Sequence, residues 1–120
     1  MRKNEFDDYL VRGWECGGNL FYNRRVYFSE CGYIAETNKF RLNAFSFKAE
    51  KYDDNHYSRY VDSKGNYVDL IEHIDMIFDT REEAKEYYLS AKIFDGKSFW
   101  EIGMKFEWIE YDGPDIPIDK

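Results

Sequence analysis

The sequence predicts an α+β fold, a single small domain with a curved antiparallel sheet of about 4–6 strands, an N-terminal helix and one or two C-terminal helices. Three observations predict it. Short aromatic and β-branched runs broken by turn residues fill positions 20–61, while helix-capping patterns stand near residues 79–83 and 98–101. The chain also carries 11 Tyr, 10 Phe and 3 Trp in 120 residues, and 43% of it is hydrophobic, a composition far from that of disordered chains. The expected organisation is one domain over residues 1–120, with 111–120 an irregular C-terminal tail holding Pro114 and Pro117.

Between Asn4 and Trp14, the residues Phe6, Tyr9, Leu10 and Trp14 fall on one stripe of an amphipathic helix, with Asn4 as N-cap and Gly13 or Gly17-Gly18 as its end. Leu20-Phe21-Tyr22 and Val26-Tyr27-Phe28 flank Asn23-Arg24-Arg25 and read as a hairpin. Tyr33-Ile34-Ala35 and the stretch Phe40 to Tyr52 read as extended. In the latter, Phe45, Phe47 and Ala49 alternate with Ser46 and Lys48, as in a strand wetted on one face. Polar turns at 51–57 and 62–66 isolate a strand from Tyr57 to Val61.

Residues 67–78 carry two signals. Leu70, Ile74 and Ile77 suit a helix, whereas Leu70, Glu72, Ile74, Met76 and Phe78 give a flawed alternation, and the expectation is strand. Asp79 or Thr80 then caps a helix that buries Ala84, Tyr87, Tyr88 and Ala91. Ser98 and Glu101 form a second capping box. It opens residues 99–108 as helix, in competition with a strand alternation from Trp100 to Trp108 around Gly103.

The net charge is −7, and it is lopsided: residues 1–60 hold 10 Lys/Arg against 9 Asp/Glu, residues 61–120 hold 7 against 15. Such a field repels phosphate backbones and attracts basic surfaces, so direct nucleic-acid binding is disfavoured. No apolar run reaches the ~18 residues of a membrane span, and Met1 to Asp8 turns acidic without a signal-peptide core, which predicts no membrane contact and a cytoplasmic location. The two cysteines, Cys16 and Cys31, are too few for a disulfide framework and read as buried thiols.

Motifs for chemistry are few. Gly96-Lys97-Ser98 has Ala91 where a phosphate-binding loop needs glycine, and the histidines and cysteines lack metal-ligand spacing, so neither cofactor nor metal is expected. His73, between Glu72 and Asp75, reads as a paired surface imidazole, and His56 as a turn residue. Phe21 to Phe28 interleaves aromatics with two arginines, the mixture that stacks bases, but the favoured reading is a hairpin whose alternate aromatics fill the core and whose arginines balance the acidic surface.

These features point to binding and not to an enzyme. A small acidic module would occupy a basic surface on a protein partner, such as a nucleic-acid-binding protein, with carboxylates standing where phosphates would. The expected contact residues are Asp69, Glu72, Asp75, Glu107, Glu110 and Asp112, with Tyr52, Tyr57 and Tyr60 as anchors, because exposed tyrosines bury much area at little rotamer cost. In size, acidity and lack of catalytic motifs the chain resembles the small inhibitors made by phages and mobile elements, anti-CRISPR proteins among them. That resemblance implies an inhibitor acting as a nucleic-acid mimic. Alternatives are a structural or assembly subunit that buries its aromatics in a homodimer, and a small-ligand domain or enzyme with a pocket on the aromatic sheet.

Overall fold

A computed structural model describes residues 1–53, 56–109 and 114–118, with the side chain of Ile109 left out. The first element is α1 (Lys3–Asp8), which widens into a π-helical turn over Tyr9–Gly13. Its cap is Arg2, not Asn4, because Glu5 in the first turn reaches back to the Arg2 backbone N–H at 3.4 Å. In an ideal α-helix Trp14 would sit about 140° around the axis from Tyr9. The wider turn, closed by Trp14 N–H to Tyr9 C=O at 3.2 Å, brings both rings to the core, where both are fully buried.

Strands β1 (Cys16–Tyr22) and β2 (Arg25–Ile34) form the expected hairpin through Asn23 and Arg24, both at positive φ (50° and 65°), the geometry of a two-residue turn matched to sheet twist. The extended run ends at Ile34, and Ala35 belongs to the turn into β3 (Lys39–Asp53), the longest strand. β4 (His56–Val61) follows, so His56 opens a strand and sits in no turn. β5 (Ile71–Phe78) confirms strand for that segment. Thr80 caps α2 (Arg81–Ser90) by accepting from the Glu83 N–H at 3.1 Å. In α2, Ala84, Tyr88 and Leu89 are buried while Tyr87 is exposed, a correction to the expected stripe.

Residues 99–108 are split, not helical throughout. The Ser98/Glu101 box starts α3 (Phe99–Ile102), Gly103 at φ 59° ends it, a 3₁₀ turn follows, and β6 (Glu107–Ile109) takes up the strand signal. The tail is corrected too: β7 (Asp115–Pro117) pairs in parallel with β4, so the sheet is mixed and not purely antiparallel.

Among the described residues the sheet has seven strands, in the order β6-β1-β2-β3-β4-β7, with β5 also paired to β3. Leu20, Tyr27, Leu42, Ala44 and Ile74 point to the face covered by the helices and meet Tyr9, Trp14, Tyr88, Phe94, Phe99 and Phe106. The side of Ser46, expected to be wet, is this helix-covered face, and Ser46 is fully buried there; the opposite face, expected to be apolar, buries Val26, Phe47, Ala49 and Tyr57 in a second cluster. Across it Phe21 of β1 stacks on Tyr57 of β4 at 4.2 Å, although β2 and β3 lie between them in the sheet.

Inside the main core the Tyr9 and Tyr88 hydroxyls bond at 2.5 Å, Tyr9 reaches Ser29 Oγ at 3.3 Å, and Ser29 donates to the Trp14 carbonyl at 2.7 Å. Burial pushes the Tyr9 phenol well above its usual pKa and Tyr88 up to about 12. This satisfied network fixes the π-turn against α2 and β2.

A non-glycine residue in the left-handed region costs about 1 kcal/mol or more. Replacing Arg24 by glycine is therefore expected to raise stability by roughly 0.5–1 kcal/mol, read as a higher thermal midpoint, and an unchanged or lower midpoint would contradict the hairpin assignment.

Candidate interaction surface

β5 is the feature that the rest of the sheet leaves open. Among the described residues it pairs with β3 alone, over Phe40↔Phe78 to Ser46↔Ile71. Its other edge therefore presents backbone donors and acceptors outward, a template for another strand. Natural edges are usually guarded by lysine or proline, and the β5 sequence Ile71-Glu72-His73-Ile74-Asp75-Met76-Ile77-Phe78 holds neither. The guard it does have is a bulge opposite Ala44/Phe45. Ile71, Met76 and Ile77 remain 45%, 41% and 58% exposed.

Acids surround these apolar side chains. Glu72 is exposed without an ion-pair partner among the described residues, and Asp69, at φ 54°, sits in the turn that enters the strand. Asp75 is held by two of the Arg41 guanidinium nitrogens, Nε and Nη2, at 2.7 and 2.9 Å, and that pairing keeps its carboxyl below the usual range. Beyond Phe78, whose ring lies 5.4 Å from Tyr87, α2 exposes Glu82, Glu83 and Glu86.

The expected contact residues do not form one surface. Asp69, Glu72 and Asp75 gather at β5, whereas Glu107 lies on β6 and pairs with Lys51 at 3.4 Å. Glu110 and Asp112 lie outside the described residues. Tyr57 is corrected: it is 1% exposed beneath Phe21 and cannot anchor a partner. Tyr52 is exposed and stacks on His56, itself bonded to Asp53. Tyr60 is half-buried, donates to the Glu50 carboxylate, and is pushed up in pKa chiefly by that bond.

His73 is no paired surface imidazole either. As the extra residue of the bulge it turns to the helix side, where its Nε2 meets Ser46 Oγ at 2.7 Å, and Arg25 Nε donates to the same Oγ at 3.0 Å. A guanidinium only donates, so the Ser46 proton is available to His73, and in the neutral Nδ1–H tautomer Nε2 accepts it. Arg25 also donates through Nη2 to the Asp69 carbonyl. Although serine and histidine meet here, Ser46 is fully buried and no substrate reaches it. The arginines of the Phe21 to Phe28 segment are thus split, with Arg24 in the turn and Arg25 in this network.

Two clefts flank the start of β1. One, of about 350 Å³, is lined by Phe28, Phe45, Phe47, Tyr67 and Arg59, with the guanidinium over the Tyr67 ring and Asp115 within 3.6 Å of its Nε. The other, of about 290 Å³, lies between Asp8, Arg12, Asn19 and Trp108. No cluster of three metal-ligating side chains occurs among the described residues, and no helix there is long and apolar enough to cross a membrane. Both cysteines are free thiols, and neither is buried as expected: Cys16 is exposed and Cys31 half-buried.

Comparison with protein-family models, with curated proteins and with solved structures finds no match to this chain. The fold therefore defines a class, a small sheet-dominated α+β domain.

Nothing in the sequence marked the edge of β5 beyond its broken alternation. The same contrast of burial separates the tyrosines. Tyr57→Ala is expected to cost about 3 kcal/mol or more and Tyr52→Ala less than about 0.5 kcal/mol in urea unfolding, and equal costs would contradict the assignment of Tyr57 to the second core.

Proposed function

We propose that this protein is a binding module, not an enzyme, and that it docks an extended basic segment of another protein along the open edge of β5. The observation that carries the reading is an eight-residue edge strand, paired on one side, that exposes Ile71, Met76 and Ile77 beside Asp69 and Glu72. Strand addition supplies main-chain hydrogen bonds, and alternate side chains of the added strand supply specificity. The acids select a basic strand. They also oppose the pairing of two copies of β5, which would bring Glu72, Asp75 and the α2 acids of two −7 chains together.

Support for broad nucleic-acid mimicry is narrower, because Asp75 and Glu107 are already engaged by Arg41 and Lys51. What remains is Asp69 and Glu72 at the start of β5, with Glu82, Glu83 and Glu86 on α2 beyond its far end. An inhibitor of a basic, nucleic-acid-handling protein fits this surface if it grips a basic strand or tail of that partner, and such a role is at home in the cytoplasm.

A seven-residue synthetic peptide alternating lysine and valine is the probe. Titrated into isotope-labelled protein, it is expected to shift β5 amides saturably, to weaken by about tenfold from low to high salt, and to lose binding in Ile77→Lys and Glu72→Lys variants that keep the native spectrum. Shifts scattered over the surface, or a complex indifferent to both substitutions, would overturn the reading.

A further inference from the structure

We propose that His73 is a proton-operated latch on the β5 edge: neutral, it holds the first half of the strand on β3, and protonated, it lets that half go. The inference rests on the reading of β5 as the docking edge, since it assigns that edge a control.

The geometry is specific to this segment. β5 enters the sheet through Asp69, whose carbonyl is held by Arg25, and four residues after Asp69, His73 bulges inward onto Ser46. A single arginine of β2 thus pins both ends of the entry, one through a carbonyl and one through the Ser46 hydroxyl. The bulge leaves this stretch with a locally disrupted ladder, so the side-chain bonds carry more of its attachment than elsewhere in the sheet.

Protonation reverses the pattern. Nε2 becomes a donor, so the Ser46 oxygen faces two donors, and its own proton is left without the acceptor it had inside the buried cluster. The imidazolium also stands beside the Arg25 guanidinium, like charge against like. Among the described residues no carboxylate is bonded to His73: from β2 the facing groups are Arg25 and the Tyr27 ring at 5.8 Å, from β3 Ser46, and Asp69 meets Arg25 through its backbone carbonyl. On β5 itself, Glu72 and Asp75 pair with Phe45 and Asn43 across the sheet, on the face opposite His73, and Asp75 is bound to Arg41. Asp95 lies beyond Tyr27 and is bound to Asn23 at 2.8 Å. Burial, and then Arg25, hold the His73 pKa below its usual 6.5. The sign follows: the released imidazole takes a proton more readily than the docked one, so attachment is complete above about pH 6.5 and is lost as pH falls through the lower, docked value.

Amide hydrogen exchange of the full chain, corrected for intrinsic rates and compared between about pH 7.5 and 5, tests the latch directly. Protection over Ile71 to Ile74 is expected to fall at least about tenfold relative to β2, and His73→Gln, which accepts from Ser46 without titrating, is expected to abolish that fall. The wild-type profile stands alone if the variant fails to fold. Flat protection in the wild type, or the same fall in His73→Gln, would overturn the proposal. The lysine–valine peptide, titrated at both pH values, separates the two readings: binding at neither pH removes the docking reading while exchange still decides the latch, and equal binding at both pH values removes the latch as a control of docking.

Discussion

The structure depends on one strand buried on both faces. β3 pairs with β2 along Lys39 to Lys48, with β5 along Phe40 to Ser46, and with β4 beyond Ala49. Its alternation sends Leu42, Ala44 and Ser46 to the helix side and Phe45, Phe47 and Ala49 to the other. A strand with apolar side chains both ways must be covered both ways. The helices and the π-turn cover one face, and β4 with Tyr57 and Tyr67 covers part of the second.

That requirement also explains what is left open. β2, β4 and β5 satisfy the pairing capacity of β3, but nothing in the described chain continues outward from β5. The polar cost of the edge is small in water, whereas its apolar side chains gain by being covered, so a partner strand has both a ladder and a surface to complete. The two faces of the strand are thus set apart: His73 faces inward to Ser46 and Arg25, while Ile77 and Glu72 face solvent.

The sequence made local structure legible where one residue settles it. Thr80 and Ser98 caps, the Asn23–Arg24 turn and the alternation of β3 were all readable, because each acts within a few residues. The remainder was set by distant contacts. The π-turn exists to bring Trp14 around to Tyr9, and no spacing rule for α-helices contains it. The alternation of β5 is flawed because His73 is an inserted residue, which flips Glu72 to the face opposite Ile74 and hides the strand's period. Tyr57 looked like an anchor among polar neighbours, and only the approach of β1 shows that Phe21 covers it. Of the expected contact residues, Asp69, Glu72 and Asp75 come together because they share one strand and its entry, whereas Glu107 sits across the sheet.

A docking strand needs one side of β5 to be unpaired in the isolated protein. Amide-by-amide hydrogen exchange at neutral pH tests it most directly. An open edge predicts that protection alternates along Ile71 to Phe78, high where the N–H meets β3 and low where it faces water, while β2 and β3 are protected throughout. Uniform protection along β5 would show an edge already covered, and would contradict the docking surface at its root.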